Sequence, residues 1–564
     1  MCVSPLSKAD GRLSSAERLY LQPSTLAKRL WLLLFLAVIA TYFYGLGHLP
    51  LVGPDEPRYA QVAREMYLRA DLITPTLGGH TWFEKPALLY WMMIAAYRFL
   101  GVTETAARLG PAICGLLTVV AVFWTGRRVQ QATPNEELCG LGAWSGLVVA
   151  SMLGTIVFSR AASFDIVVTM TITWALSSFL ILQIETDDSP QRRLLLIFYA
   201  FVGLSLLAKG LVGIVIPSGV IGAYYLMRRE LPSRRFLVSL VWGVPLAIAV
   251  SAIWYGPIIA RHGWPFINEF FIQHHFARYL SNKYRHPGPI YFYLVCLILL
   301  SLPWTLVLVD GLARVKSWQW HGVEAKDKLR VFALSWVLVP LVFFSFSGSK
   351  LAGYILPVLP GVALIVGERL TRIATSAQAS RYAMRATGLL LTIVAVTGFV
   401  IAVRGGHLSP VEGAVIAGPM VIGGIVNLFF LKRRIVAAVS VIWVGLLFPA
   451  LVLNTRLVDL TKTESVRALV QRANERGYSA APVYGLGRMD RSVEFYASGR
   501  VAYGPNGEPV VFENAPQVLN AAAGHGPILV FVPREYDQLL PLKSSGAEVI
   551  GDNGKFVLVA VSVR

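Results

Sequence analysis

The chain has 564 residues, of which 55% are hydrophobic and 15% charged, and its mean hydropathy is +0.59. This composition exceeds what the core of a soluble protein requires and predicts a polytopic membrane protein. The chain also carries 19 surplus positive charges, but much of this excess lies in short loops between apolar segments. Membrane topology and anionic lipid explain such loops, so we do not expect a nucleic-acid partner.

Apolar runs of roughly 17–25 residues, the length that crosses about 30 Å of hydrocarbon, predict about 13 or 14 transmembrane helices. They lie near residues 30–48, 86–101, 106–126, 140–159, 164–183, 194–208, 210–227, 236–256, 289–309, 331–347, 351–367, 386–403, 411–431 and 436–454. The predicted fold is therefore an all-α polytopic membrane domain over residues 1–454, with external loops 49–85 and 257–288.

Basic clusters at the ends of these runs predict the orientation, since Lys and Arg near span ends stay in the cytoplasm. Traced back from Lys432-Arg433-Arg434, the pattern places Asp165, Lys350 and the chain after residue 454 outside. Traced forward from the amino terminus, it places Glu84 outside as well. The two traces agree only if an odd number of crossings separates Glu84 from Arg127-Arg128. Either the region 86–126 contains fewer crossings than its apolar runs suggest, or Arg127-Arg128 is an external exception.

After residue 455 the composition changes and predicts a soluble α/β domain over residues 455–564. Helices are predicted over 465–477 and 534–540, and strands over 481–485, 527–532 and 555–563. No glycine-rich phosphate loop, Cys/His cluster or nucleophile elbow is visible there. We interpret this domain as a packed lid or a partner-binding module rather than as a catalytic domain.

The charged loop 51–86, which lies between two apolar runs, is the first place to look for chemistry. It contains Gly53-Pro54-Asp55-Glu56-Pro57-Arg58-Tyr59, followed by Trp82-Phe83-Glu84-Lys85-Pro86. The bland interpretation is that the two acids begin an interfacial amphipathic helix over 56–70, where prolines and acids are favoured in the first turn. The functional interpretation is that charges held at membrane depth mark a substrate path.

Three external cations stand in comparable positions at the membrane boundary. They are Lys85, Arg278 in Gln273-His274-His275-Phe276-Ala277-Arg278-Tyr279, and Lys350 in Ser349-Lys350-Leu351-Ala352-Gly353-Tyr354. A lysine at a span end is ordinarily an interface anchor. Three cations on one leaflet, however, offer the Arg fork and the compact Lys charge with which proteins recognise phosphate.

These motifs occur in a characteristic order, together with Ser163-Phe164-Asp165 and Ala208-Lys209-Gly210. In that order they resemble the dolichyl-phosphate-mannose-type transferase superfamily with the GT-C fold. Over roughly the first 450 residues, the chain looks most like the bacterial 4-amino-4-deoxy-L-arabinose lipid A transferases. The resemblance implies a pentosyltransferase that moves this aminoarabinose from undecaprenyl phosphate to lipid A on the periplasmic side of the bacterial inner membrane. Such a change of lipopolysaccharide lowers binding of cationic peptides such as polymyxin.

The resemblance also implies roles for individual residues. Asp55, Glu84 and Asp165 are expected as catalytic acids, and Lys85 and Arg278 as partners of the donor phosphate. Further substrate-binding positions are Arg58, Tyr59, His275, Lys350 and Tyr354. Lys209 either serves the site or ends a helix.

A metal requirement stays open in the sequence. Glu84 and His275, with His274 or His286, offer oxygen and nitrogen ligands suited to Zn²⁺ or Mn²⁺. Their spacing is irregular, so hydrogen-bonding histidines in an ordered loop are the more ordinary interpretation, and no cofactor is firmly expected. We expect a monomer.

Two alternatives to this function stay open. One is a protein O-glycosyltransferase, or another polyprenyl-phosphate-sugar transferase, of the same fold. The other is a lipid transporter or flippase, which also needs intramembrane charge, although no internal repeat of the kind found in many transporters is evident.

Overall fold

The chain divides into two compact units that each combine distant segments. The computed structural model describes residues 25–133, 138–185, 188–277, 288–375, 382–406, 408–429, 434–455, 465–536 and 539–562. The helical unit comprises Met1–Tyr44, Pro111–Arg160 and Phe164–Leu451. The loop-and-sheet unit comprises Gly45–Gly110, Ala161–Ser163 and Val452–Arg564. The residues predicted to form a separate soluble domain thus share a unit with the whole of the first external loop, 49–85.

Long apolar helices confirm the predicted polytopic membrane protein. In the described residues, eight helices are long and apolar enough to cross a membrane, or up to ten if each of two bent pairs is one span. The eight are Glu104–Gln131, Phe164–Ile184, Gln191–Lys209, Arg234–His274, Ala325–Ser345, Ala352–Ala374, Tyr382–Arg404 and Pro410–Phe429. The bent pairs are Leu141–Ser151 with Leu153–Ser159, and Phe292–Leu300 with Thr305–Leu312. Shorter apolar helices are Leu32–Phe43, Leu88–Leu100, Val212–Arg228 and Val436–Val452.

The short helix Leu88–Leu100 bears on the conflict between the two predictions of orientation. It has 13 residues, which at 1.5 Å per residue gives about 20 Å, less than the hydrocarbon thickness. The predicted span at 86–101 is therefore too short to cross. One spanning helix, Glu104–Gln131, then separates Glu84 from Arg127, which is the odd number that the traces require.

The predicted external loop 257–288 is largely helical up to residue 277. The helix Arg234–Ile267 continues past the predicted end of its span, but Gly263 interrupts it with a non-helical backbone conformation (φ 57°, ψ −135°) and kinks the chain. A π-helix follows over Asn268–Ala277. Residues 278–287 lie outside the described part of the chain.

Burial differs sharply among the helices of the helical unit. In the most apolar window of Phe164–Ile184, 89% of the residues are buried inside the protein, against 22% for Tyr382–Arg404. The buried helix contains several hydroxyl side chains, and Thr169 and Thr173 each donate to the backbone carbonyl four residues earlier, at 2.7 and 2.6 Å. Because an unpaired hydroxyl is costly in an apolar interior, these bonds let the helix sit at the centre of the bundle.

Two helices and a small hairpin form the amino-terminal part of the loop-and-sheet unit. Glu56–Leu68 begins with Pro57 in its first turn and packs against Leu88–Leu100. The hairpin pairs β1, Thr76–Leu77, with β2, His80–Thr81. Glu65 holds the hairpin to the helix, since its carboxylate accepts from the Thr76 hydroxyl at 2.7 Å and the Gly78 amide at 2.8 Å.

The carboxyl-terminal part contains a mixed five-stranded sheet in the order β4-β3-β5-β7-β6. The strands are β3 Val483–Leu486, β4 Val511–Phe512, β5 Ile528–Pro533, β6 Glu548–Asp552 and β7 Phe556–Val561. The two central strands, β5 and β7, are buried at every position. The sequence of each strand is therefore a continuous apolar run. Helices Arg467–Glu475, Ser492–Tyr496, Ala515–His525 and Leu539–Ser544 accompany the sheet.

The predicted strands at 481–485, 527–532 and 555–563 correspond to β3, β5 and β7. The helix predicted over 534–540 is wrong in its first residues. The chain turns after β5, because the Tyr536 amide donates to the Pro533 carbonyl and the Tyr536 hydroxyl to the Glu513 carbonyl, both at 2.9 Å. The helix there is Leu539–Ser544.

Candidate functional site

Glu56, the second acid of the loop pair, has a structural role. Its carboxylate receives two hydrogen bonds from the Arg108 guanidinium, at 3.0 and 2.8 Å, and accepts from the Ala162 amide at 2.6 Å. Arg108 is only 4% exposed and also donates to three backbone carbonyls before Glu56. This network fixes the entry of the loop into the helix Glu56–Leu68.

Asp55, the first acid of the pair, is placed differently. It occupies the N-cap position of Glu56–Leu68, is exposed, and makes no side-chain capping hydrogen bond. The bland interpretation, in which both acids cap the helix, therefore does not describe Asp55. A carboxylate held at a helix start by a rigid neighbour, yet exposed, is suited to contact a substrate.

Glu84 and Lys85 form an ion pair of 2.7 Å between half-buried side chains. Charges in this region affect the pKa of the nearby Tyr90 hydroxyl. Burial raises the pKa of Tyr90 well above its usual range, Glu84 and Asp55 raise it further, and Arg58 lowers it. The two loop acids thus lie near enough to one tyrosine to act on its ionisation, although 29 residues separate them in the chain.

Arg58 and Tyr59 are engaged inside the loop-and-sheet unit. The Arg58 guanidinium lies 5.1 Å from the centre of the Trp82 ring, and its Nε lies 3.8 Å from Glu494. Tyr59 is 6% exposed and packs edge to face against Tyr90. Their substrate-binding roles stay predictions. The contacts show that both side chains pack against other residues of the loop-and-sheet unit.

Glu494, which was not among the predicted site residues, lies next to Arg58. This fully buried carboxylate pairs with Arg491 at 3.2 Å as well as with Arg58. Burial raises its pKa, and the two arginines oppose that rise. The available signal was an acid inside the short apolar run Val493 to Tyr496, but nothing in the sequence named its partner.

A second cluster lies within the helical unit and unites Asp165, Lys209 and Tyr354. The Lys209 ammonium pairs with the Asp165 carboxylate and lies 4.4 Å from the centre of the Tyr354 ring. Gly353 leaves room for this cluster, because a side chain there would clash with the Asp165 carboxylate and approach the Phe158 ring at 2.7 Å. Lys209 therefore does more than end its helix.

The remaining predicted positions divide between the described and undescribed parts of the chain. The Lys350 ammonium donates to the Ser347 carbonyl at 2.7 Å. Arg278, His286 and the side chain of His275 lie outside the described residues, so the predicted phosphate and metal roles on them stay predictions. Within the described residues, no three His, Cys, Asp or Glu side chains gather to hold a metal ion, and we assign no step to a metal.

Comparisons with known proteins agree with the motifs. An undecaprenyl phosphate-alpha-4-amino-4-deoxy-L-arabinose arabinosyl transferase of Aeromonas hydrophila is 26% identical over 526 residues, which cover 88% of this chain and 92% of the relative. The transferase of that name from Yersinia enterocolitica is 31% identical over 375 residues, 66% of this chain and 63% of the relative.

Structural similarity confirms the predicted fold. The crystal structure of ArnT from Cupriavidus metallidurans bound to undecaprenyl phosphate matches with a TM-score of 0.76 and 22% identity, over 95% of this chain and 98% of that one. The family model described as dolichyl-phosphate-mannose-protein mannosyltransferase matches residues 28–318, more than half of the chain. The chain therefore belongs to the dolichyl-phosphate-mannose-protein mannosyltransferase family.

Proposed function

We propose that this protein transfers 4-amino-4-deoxy-L-arabinose from undecaprenyl phosphate to a phosphate of lipid A. The observation that carries the proposal is similarity to an aminoarabinose transferase along 88% of the chain, which includes parts of both units. The exposed Asp55 beside the locked Glu56 and the Glu84–Lys85 pair supply the acid and the cation that such a transfer uses.

The reaction is a displacement at the anomeric carbon of the sugar. An oxygen of the acceptor phosphate forms the new bond to that carbon, the bond to the lipid phosphate oxygen breaks, and undecaprenyl phosphate leaves with the electron pair. Lys85 stabilises the charge that develops on the leaving phosphate. An ammonium has three donors, so Lys85 can contact this phosphate while Glu84 holds it in place.

The role of Asp55 follows from the acceptor. A lipid A phosphate is already ionised near neutral pH and needs no general base, whereas a protein hydroxyl does. With lipid A as acceptor, Asp55 orients the acceptor or pairs with the ammonium group of the sugar. We place this chemistry at the periplasmic face of the inner membrane, in a protein that acts as a monomer.

Mass spectrometry of lipid A tests the proposal. The intact chain and Asp55→Asn are expressed in a bacterium that makes undecaprenyl-phosphate aminoarabinose but lacks its own transferase. We expect lipid A to gain the mass of one aminopentose with the intact chain and to stay unchanged with Asp55→Asn at equal protein levels. Unchanged lipid A with the intact chain overturns the proposal.

A second measurement in the same cells identifies the competing activity. The family model that matches the chain describes protein mannosyltransferases, so protein acceptors are the main alternative. Unmodified lipid A together with newly glycosylated membrane or periplasmic proteins would assign the chain to protein O-glycosylation. Movement of the lipid-linked sugar across the membrane without any transfer would assign it to lipid transport.

A further inference from the structure

A polar cavity of about 260 Å³ lies at one end of the helical unit. It is bounded by the connection after Thr305–Leu312, by the first turns of Ala325–Ser345 and by the last turns of the helix Leu359–Thr375. No predicted site residue lines it.

The cavity is separated from the Asp165 cluster by the length of a membrane-spanning helix. Ala325–Ser345 has 21 residues, about 31 Å at 1.5 Å per residue. Its first turns line the cavity, while its last residue, Ser345, precedes Lys350 by five positions and Tyr354 by nine. The cavity thus belongs to the opposite membrane boundary and is not part of the Asp165 cluster.

Cations dominate the lining of this cavity. Five basic side chains line it, against the two acids Asp327 and Glu368. The five are Arg314, Lys326, Arg330, Arg369 and Arg372. Asp310 and Glu324, which pair with three of these cations from nearby, reduce the excess to one positive charge. The cavity therefore keeps a positive balance after its own ion pairs are counted.

Many of these charges form an internal network. Glu368 accepts from Arg330 at 2.7 Å and from Arg372 at 3.0 Å. Arg330 also lies 3.4 Å from Asp327. Such a network could serve only to tie the helix ends together, so the ion pairs by themselves do not indicate a ligand.

Two buried lining residues have a polar atom without a hydrogen-bond partner among the described residues, the acceptor Asp327 Oδ2 and a donor of Arg369. Since cations outnumber acids in the lining, the Arg369 donor indicates the sign of the ligand. Arg369 is 6% exposed and lines the cavity, and its Nε donates to Asp310. Its Nη2 is buried and has no hydrogen-bond partner among the described residues. An unsatisfied guanidinium donor in a buried position is costly, and a phosphate oxygen in the cavity would satisfy it with a charge-assisted hydrogen bond.

We propose that this cavity binds the phosphate of an anionic phospholipid headgroup in the membrane leaflet opposite Asp165. Basic pockets between transmembrane helices are known binding places for anionic headgroups. Arg369 contributes the inner donor, and the more exposed Arg314 contacts the headgroup at the rim. The site is distinct from the transfer chemistry and does not depend on the identity of the sugar or acceptor.

Native mass spectrometry of the full-length protein tests this site. The detergent-purified chain is titrated with phosphatidylglycerol, with phosphatidylcholine of identical acyl chains, and with inorganic phosphate. We expect phosphatidylglycerol to bind at least about tenfold more tightly than phosphatidylcholine, the ratio that about 1.4 kcal/mol provides. Arg369→Gln should abolish this preference. Equal binding of the two lipids by the intact protein overturns the proposal, as does binding of inorganic phosphate alone.

A second variant keeps the test decisive if Arg369→Gln folds poorly. Ser317 is an exposed lining residue, so Ser317→Glu adds a negative charge to the cavity without disturbing the core, and we expect it to lose the preference as well. Arg193→Gln is the matched control, because Arg193 is an exposed cation outside the cavity, near the start of Asp188–Lys209. Retained preference in Ser317→Glu, or an equal loss in Arg193→Gln, contradicts the assignment.

Discussion

Glu494 of the carboxyl-terminal sheet region lies 3.8 Å from Arg58, which follows Asp55 by one turn of helix. A second connection lies six residues further along the helix, where Arg64 donates to the Phe495 carbonyl at 2.8 Å and its guanidinium lies over the Phe495 ring. The carboxyl-terminal residues thus pack directly against the helix that presents the proposed loop acid. We interpreted this part of the chain as a lid or a partner-binding module. Its contacts instead hold the helix Glu56–Leu68, and so the loop before it, in position.

Removal of the Glu494 carboxylate should therefore affect both stability and transfer. Glu494→Ala leaves Arg58 and Arg491 without their buried partner, and we expect a loss toward the lower end of about 3–5 kcal/mol in the free energy of unfolding. Unfolding curves of the protein purified in detergent measure this loss of free energy. In the fraction that stays folded, transfer should fall through kcat, because the substrate contacts are not removed.

The exposed acid Glu508 offers the control for Glu494. It pairs with the same Arg491 at 2.9 Å, but its side chain is 53% exposed. We expect Glu508→Ala to change stability by less than about 1 kcal/mol and to leave kcat unchanged. If Glu494→Ala behaves like Glu508→Ala, the support of the loop by Glu494 is refuted.

The raised pKa of Glu494 predicts a pH dependence with a defined sign. The unfolded carboxyl ionises near its ordinary pKa of 4.5, whereas burial lets the folded protein hold this proton to higher pH. Between these two values the folded state binds more protons, so the contribution of this group to stability falls as the pH rises. Glu494→Gln has no such proton. Unfolding temperatures from about pH 4 to about pH 7 should therefore shift in favour of Glu494→Gln as pH increases, and a constant difference would disprove this.

Mutations of the two loop acids should have different effects, one on activity and the other on stability. Asp55→Asn should lose transfer while its unfolding temperature stays unchanged, because the side chain is exposed and makes no capping bond. Glu56→Gln should lose about 3–5 kcal/mol of stability, because it leaves the buried Arg108 without a charged partner. Parallel activity and unfolding measurements compare the two. Similar unfolding temperatures for both variants would contradict the division of roles.

Gly353 should tolerate no side chain. Gly353→Ala introduces a Cβ that clashes with the Asp165 carboxylate, and overpacking of this kind costs about 1–3 kcal/mol. Gly222→Ala is the control, since no atom lies within 4 Å of a Cβ there and the position is helical. Unfolding temperatures should fall for Gly353→Ala and stay equal or rise for Gly222→Ala. An unchanged unfolding temperature in Gly353→Ala would show that the cluster accommodates a methyl group.

Lys85 should matter through its charge. Lys85→Ala removes the cation that we assign to the leaving phosphate, so we expect a loss of transfer of about 100-fold or more, as for a lost electrostatic stabiliser. Lys85→Arg keeps the charge and should recover part of this activity. Steady-state transfer with a synthetic lipid-linked sugar measures both. Full activity in Lys85→Ala would reject the assignment.

Local patterns made much of the fold predictable from the sequence. Continuous apolar runs predicted the spanning helices and the buried strands β5 and β7, because every position of these elements faces an apolar environment. The strand β6 was missed, since only Ile550 of its five residues is fully buried. The short helix Leu88–Leu100 was mistaken for a span because hydropathy alone does not show where a helix ends.

Pairings between distant residues were less accessible. Charges inside apolar runs are expected to find partners, which made Asp165 and Lys209 visible as candidates, and the structure pairs them. The sequence also singled out Asp55 and Glu84. It could not show that Glu56 forms an ion pair with Arg108 or that Arg58 lies beside Glu494. Hydrophobic periodicity predicts local structure but not which distant segments pack together.

The discontinuous make-up of the loop-and-sheet unit has a consequence for biosynthesis. Residues 45–110 leave the ribosome hundreds of residues before 465–562, so Arg58 and Arg64 are made long before Glu494 and Phe495 exist. The helices between residues 111 and 451 are made in the interval. Until Glu494 and Phe495 have been made, the helix that follows Asp55 lacks these contacts, so packing of this loop is completed late in the synthesis of the chain.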